Sequence, residues 1–152
     1  MKTIQGNLIQ RALQGEFDII IHGCNCHCTM SAGIAKAIKT AFPEAYDADA
    51  RTFPGDRSKL GTISYATVTR NGHAITIVNG YTQFNFKGSG ILVDYDALRS
   101  VMAAVALLFS GKRIGYPKIG SGLARGDWNT IAAIIDEELH GEDHTLVELA
   151  ES

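Results

Sequence analysis

The densest apolar run in the chain, Phe17 to Asn25 (FDIIIHGCN), carries no polar alternation until His22 and ends at a glycine-containing turn, the pattern of a strand buried on both faces. After it, SAGIAKAIKTAF spaces Ile34, Ile38 and Phe42 four residues apart, opens on small residues and stops at Pro43, which predicts an amphipathic helix. GTISYATVTR and HAITIVNGYTQ are rich in β-branched residues and meet at Asn71-Gly72, a dipeptide that tolerates the positive φ of a two-residue hairpin turn. Leu98, Met102, Val105 and Phe109 form one stripe of a helix over 94–109, ended by Ser110-Gly111. Ile131, Ile134, Ile135 and Leu139 do the same for WNTIAAIIDEELH, and KTIQG, RIGYP and HTLVELA complete the set as short strands. Strands alternating with helices, plus one hairpin, predict an α/β fold: a three-layer α/β/α sandwich with a central mixed sheet, as a single domain over residues 1–152. Open sheets of this kind bind ligands beyond the carboxyl ends of their strands.

A hydrophobic fraction of 45% in 152 residues suffices for a core without disulfide or metal staples. Fourteen Lys and Arg against sixteen Asp and Glu give a formal charge of −2 with no basic run, which counts against duplex or long single-stranded nucleic acid as a partner. No segment combines the length and apolarity of a signal or membrane span, so a soluble, cytoplasmic protein without a membrane partner is expected.

Cys24, Cys26 and Cys28 are the only cysteines and lie too close together to staple distant parts of a fold. In an extended strand a period of two would place them on one face with His22, a superficially zinc-like set. Zinc sites draw ligand pairs from separated segments, and no second pair exists here, so neither a metal nor another cofactor is expected. Cys24 and Cys28 read as small buried hydrophobes, and His22 as either a catalytic group or a polar residue ending a strand.

Two segments run from a strand end through glycines into a helix, GCNCHCTMSAG and KIGSGLARGD. Each offers backbone N–H groups near a helix N-terminus, where an anion is favoured, and together they could clamp a diphosphate from both sides. The chain has no G-x-x-x-x-G-K-[ST] phosphate loop and no G-x-S-x-G nucleophile elbow, which disfavours nucleoside triphosphatase and serine hydrolase chemistry.

Three stretches, in order, resemble the motifs of the macrodomains, a family that binds ADP-ribose and its derivatives. QGNLIQ is similar to an early G-[DN]-[IL] motif, IIHGCNCHCTMSAGIAKAI to the N-A-A-N…G-G-G-[VI]-A-x-A-I segment, and PKIGSGLARGDW to the second phosphate loop, P-x-I-G-x-G. The His-Gly-Cys-Asn version is similar to the small ADP-ribose-1″-phosphate phosphatases and the terminal ADP-ribose glycohydrolase branch. The resemblance implies that Asn7 and Leu8 lie near the adenine and that Asn25 bonds the distal ribose. It implies Ser31, Ala32, Gly33 and Ile34 on one side of the diphosphate and Gly120, Ser121, Gly122 and Leu123 on the other. Tyr81, Gln83 and Phe84 would close the cleft.

The glycohydrolase branch carries a lysine and an aspartate where this chain has Gln83 and Ala124. His22, Asn25 and Asp127 are then the catalytic candidates at the distal ribose, with His22 positioning or deprotonating a water, or protonating a leaving oxygen. The activity so implied is hydrolysis of ADP-ribose-1″-phosphate or of ADP-ribosyl adducts, with ADP-ribose or an ADP-ribosylated macromolecule as partner. The alternative is a module that binds ADP-ribose without turning it over.

Overall fold

The structure is a computed structural model and describes residues 1–149. In chain order the elements are β1 (Lys2–Gln5), α1 (Leu8–Leu13), β2 (Ile19–Cys24), α2 (Gly33–Ala41), α3 (Pro43–Ala50), a 3-10 turn (Arg57–Lys59), β3 (Ile63–Arg70), β4 (His73–Tyr81), α4 (Tyr95–Leu108), β5 (Arg113–Tyr116), α5 (Trp128–Glu138) and β6 (Asp143–Glu148). The six strands form one sheet in the order β1-β6-β5-β2-β4-β3. Every neighbouring pair is parallel except β3 with β4, the hairpin turned at Asn71-Gly72. The sheet is therefore mixed, with its antiparallel strand at one edge.

Alternation along β2 decides which helices cover which face. Ile19 and Ile21 pack with Val78, Leu98, Met102, Ile131 and Ile135 beneath α4 and α5. Ile20 packs with Ile75, Ile77, Leu8, Ile38, Phe42 and Ala45 beneath α1, α2 and α3. Helices on both faces make the three layers of the sandwich, and β2 at its centre is buried on each side, as its unbroken apolar run requires. The caps of the longer helices were also written in the chain. Asp94 accepts from Ala97 N–H, and Asp127 from Thr130 N–H.

Two helices have no counterpart in the hydrophobic pattern. α1 is six residues long, short for any periodicity to show. α3, PEAYDADA, is polar almost all round and owes its start to Pro43 at the first helical position. The last predicted strand, HTLVELA, forms through Glu148, and its final residue, Ala150, lies outside the described residues. Among the described residues no helix is long and apolar enough to cross a membrane.

Sheet and loop meet closely at Gly115 in β5, where a Cβ would lie 2.9 Å from atoms of the Phe17 ring. Gly115→Ala should therefore destabilise the fold by about 1–3 kcal/mol, because the ring must leave its packed position. Urea denaturation reads this directly, and an unchanged midpoint would show that the ring yields freely.

Candidate functional site

Beyond the carboxyl ends of β2, β4 and β5 lies a cavity of about 320 Å³. Gly23, Cys24, Asn25 and Thr29 line it from the end of β2, and residues 31–35 continue that lining into the first turn of α2. Residues 117–120 and 122–124, following β5, supply a second segment, and Gln83 and Phe86 come from the loop after β4. Both glycine-bearing strand-to-helix segments thus contribute to one cavity.

The first segment presents a bare helix end. Ala32 is the N-cap of α2 and makes no side-chain cap bond, so the N–H groups of Gly33, Ile34 and Ala35 have no acceptor within the helix. The helix dipole places roughly half a positive charge there. Gly33 has φ 57°, a left-handed conformation that glycine adopts without steric cost.

The second segment is shaped by its packing. Gly120 has φ 77°, and a Cβ on it would come within 2.8 Å of Val93. Its carbonyl accepts from Gly126 N–H at 2.6 Å, which closes the loop, while Ala124 O accepts from Leu92 N–H at 2.9 Å. The Arg125 guanidinium donates to the carbonyls of Gly88 and Gly90, tying this loop to the one after β4. Among the described residues, the amides of Gly120, Gly122, Leu123 and Ala124 donate to no group of the chain. The cavity therefore collects unpaired N–H donors from two directions, with Lys118 the one formally charged side chain in its lining.

Of the residues proposed for the site from the sequence, Asn25, Ser31, Ala32, Gly33, Ile34, Gln83, Gly120, Gly122 and Leu123 line the cavity. The amide of Asn25 is already engaged: its Nδ2 donates to Thr29 Oγ1 at 2.7 Å and its Oδ1 accepts from His27 N–H at 2.8 Å. Those bonds hold the turn that carries the chain from β2 toward α2, leaving Oδ1 one further lone pair.

Seven expected residues stand outside the lining. Asn7 caps α1, its Oδ1 accepting from Gln10 N–H, and Leu8 is buried in the core. Ser121 Oγ donates to Lys118 O. Phe84 packs with Cys24, Cys26 and Tyr81, with the Arg57 guanidinium 4.0 Å from its ring centre. Asp127 is exposed and accepts from both the amide and the hydroxyl of Thr130, which hold its carboxyl below the usual carboxylate range.

His22 and Tyr81 do not line the cavity, and both lie on one face of the sheet. They share the parity of Ile20 and Ile77, so their side chains lie on the sheet face covered by α3. His22 Nε2 donates to Asn79 Oδ1 at 2.7 Å, and Asn79 Nδ2 donates to Ala45 O and Ser64 Oγ. Tyr81 donates to Asp49 Oδ1 at 2.7 Å, so Ser64 is the donor in its bond to the Tyr81 hydroxyl. Burial pushes the His22 pKa down from 6.5 to about 4, against the raising effect of its bond to Asn79. The fully buried ring thus joins β2 to β4.

The cysteines divide similarly. Cys24 and Cys26 are buried, and burial raises both thiol pKa values. Cys28, at φ 56°, turns its Sγ to Asp49 O at 3.2 Å, with Lys59 Nζ 3.5 Å away. Among the described residues no three His, Cys, Asp or Glu side chains converge in a way that could hold a metal ion.

Thr29, Phe86, Lys118 and Ile119 also line the cavity, though their residue types alone did not mark them. Lys118 and Ile119 sit in the PKIGSG stretch already singled out, and Phe86 follows GYTQ by three residues. Proximity to those stretches was the available signal.

A family model described as Macro domain matches residues 21–135 of the chain. A 17.5 kDa protein from the tk-vs intergenic region of Enterobacteria phage T4 is 36% identical over 141 residues, covering 90% of this chain and 88% of its own. An X-ray structure of a Bacteroides thetaiotaomicron protein is similar over 98% of this chain and 99% of its own, with TM-score 0.80 and 25% identity. The macrodomain of Thermus aquaticus DarG is similar over 99% and 97% of the two chains, with TM-score 0.72 and 18% identity. Thermosipho africanus DarTG in complex with ADP-ribose matches over 99% of this chain and 42% of its own, with TM-score 0.74 and 15% identity. At the identities of these last two the likeness is one of fold.

The depressed His22 pKa sets a pH window for stability. Above pH 6.5 the ring is largely neutral whether folded or not; as pH falls from 6.5 toward about 4, the unfolded ring takes a proton that the folded ring refuses. Stability should be lost across that window at up to about 1.4 kcal/mol per pH unit. Chemical denaturation at several pH values should show a shallower decline for His22→Gln, and parallel declines would mean that the ring is solvated.

Proposed function

Because this chain belongs to the Macro domain family, we propose that its cavity binds ADP-ribose, with the diphosphate between the first turn of α2 and the loop 120–123. The observation that carries this reading is the convergence of unpaired amides from two glycine-bearing segments on one cavity with a single side-chain cation. Such donors suit an anion whose charge is spread over several oxygens. The complex of Thermosipho africanus DarTG with ADP-ribose, a structure of similar fold, supports the choice of ligand. Asn25, at the end of β2, would take the distal ribose through the free lone pair of Oδ1, and Phe86 would stand beside it.

Binding without turnover is the reading that the cavity favours. Hydrolysis at the anomeric carbon needs a group that can give or take a proton near neutrality. His22 is neutral and turned to α3, Asp127 is committed to capping α5, and the Cys24 thiol is held protonated by burial. Hydrolysis of ADP-ribose-1″-phosphate or of ADP-ribosyl adducts is the second reading, supported by the His-Gly-Cys-Asn stretch and by Asn25 at the cavity wall. It would have to proceed through a water oriented by Asn25 and the loop amides.

Titration calorimetry with ADP-ribose should show saturable binding to one site. Gly122→Glu should weaken it by about 100-fold, through like charge beside the diphosphate, without unfolding the protein. Gly122 suits this test because a Cβ there meets no atom within 4 Å. Retained affinity in that variant would place the diphosphate elsewhere. Phosphate release from ADP-ribose-1″-phosphate should stay at background, and sustained release would assign the hydrolase.

A further inference from the structure

Lys118 stands at the carboxyl edge of the sheet, two residues past the end of β5. Its neighbour strand β6 runs parallel, with Tyr116 opposite Leu146, and ends at Glu148. The two side chains meet across that edge, Nζ to Oε1 at 3.0 Å. Both are open to water, at 48% and 32% side-chain exposure. An ion pair so exposed is worth about 0–1 kcal/mol, so it opens at little cost. The Trp128 ring centre lies 5.8 Å from the same ammonium and flanks it on one side.

Among the described residues, Lys118 is the one residue of the lining with a formal charge, and its ammonium is paired with a carboxylate outside the lining. The backbone of Glu148 accepts from Gly6 N–H at 2.8 Å, next to Asn7, so the pair sits at the end of the site where the adenosine is expected. A diphosphate there would offer the ammonium a second acceptor, one partly shielded by the cavity walls and carrying more charge than a single carboxylate.

Resting on the reading of the cavity as an ADP-ribose site, we propose that Lys118 is a phosphate-binding residue held in reserve by Glu148. On binding, the ammonium leaves Glu148 for the adenosine-side phosphate of the ligand, and Glu148 competes with that phosphate and so limits affinity. The backbone amides fix where the diphosphate lies, and the Lys118–Glu148 pair tunes how tightly it is held. The lysine acts through charge alone and takes part in no bond-making step.

The test is calorimetry with ADP-ribose at low and moderate salt on the wild type, Lys118→Gln, Lys118→Arg, Glu148→Gln and the double variant. Lys118→Gln should bind about tenfold more weakly and with a shallower salt dependence, and Lys118→Arg should retain most of the affinity. Glu148→Gln should bind about two- to fivefold more tightly, and the double variant should resemble Lys118→Gln. Wild-type affinity in Lys118→Gln, or weakened binding in Glu148→Gln, would overturn the proposal. A wild type that fails to bind ADP-ribose would instead overturn the reading of the cavity itself.

Discussion

The hydrogen bond from His22 to Asn79 joins the two central strands where they leave the apolar core, just below the residues of β2 that line the cavity. Below this level the sheet is held by isoleucines and valines packed on both faces. Above it the chain must turn outward into loops whose amides are free for a ligand. A polar pair inside this transition is tolerable only if each member is satisfied, since an unpaired buried donor or acceptor costs about 1–3 kcal/mol. Asn79 meets that demand by passing donors on to α3 and to Ser64, and the chain of bonds ends on the Asp49 carboxylate through Tyr81. Strand, helix and cavity floor are thereby fixed relative to one another.

From that fixed floor the electrostatics of the cavity follow. α2 begins without a side-chain cap, which leaves its first amides unpaired at a site facing solvent. A helix end of this kind is a cost in the free protein and a benefit once an anion arrives. The loop after β5 supplies the matching donors because its glycines permit a path that would drive a Cβ at Gly120 or Gly126 into Val93. The close packing that forbids a Cβ at Gly120 and Gly126 thus sets the path of a loop in which several amides are left unpaired.

Much of this was legible in the sequence, for physical reasons that differ by element. The run FDIIIHGCN could only be a central strand, and the stripes on α2, α4 and α5 fixed their inward faces. The glycine-bearing segments 23–33 and 118–127 stood out as candidate anion loops because glycine and a following helix are local features. What a period of two cannot tell is which face of the sheet meets which layer. His22 and Tyr81 were therefore drawn toward the ligand, although their parity carries them under α3, a polar helix that leaves little trace in the hydrophobic pattern. Asp127 fits two readings from sequence. An aspartate before an apolar helix and three residues from a threonine is a capping arrangement, and the same position flanks the second loop. Lys118 escaped notice because its significance comes from Glu148, thirty residues away in sequence and on the neighbouring strand.

On the proposed reading, amides of the two loops, and not side-chain acids or bases, hold the diphosphate. Backbone amide NMR during titration with ADP-ribose tests it residue by residue. The largest shifts are expected at Gly33, Ile34, Gly120, Gly122 and Leu123, at the carboxyl edge of the sheet. Shifts confined to the opposite edge, around Met1, Glu142 and His144, with these loop amides unmoved, would contradict it.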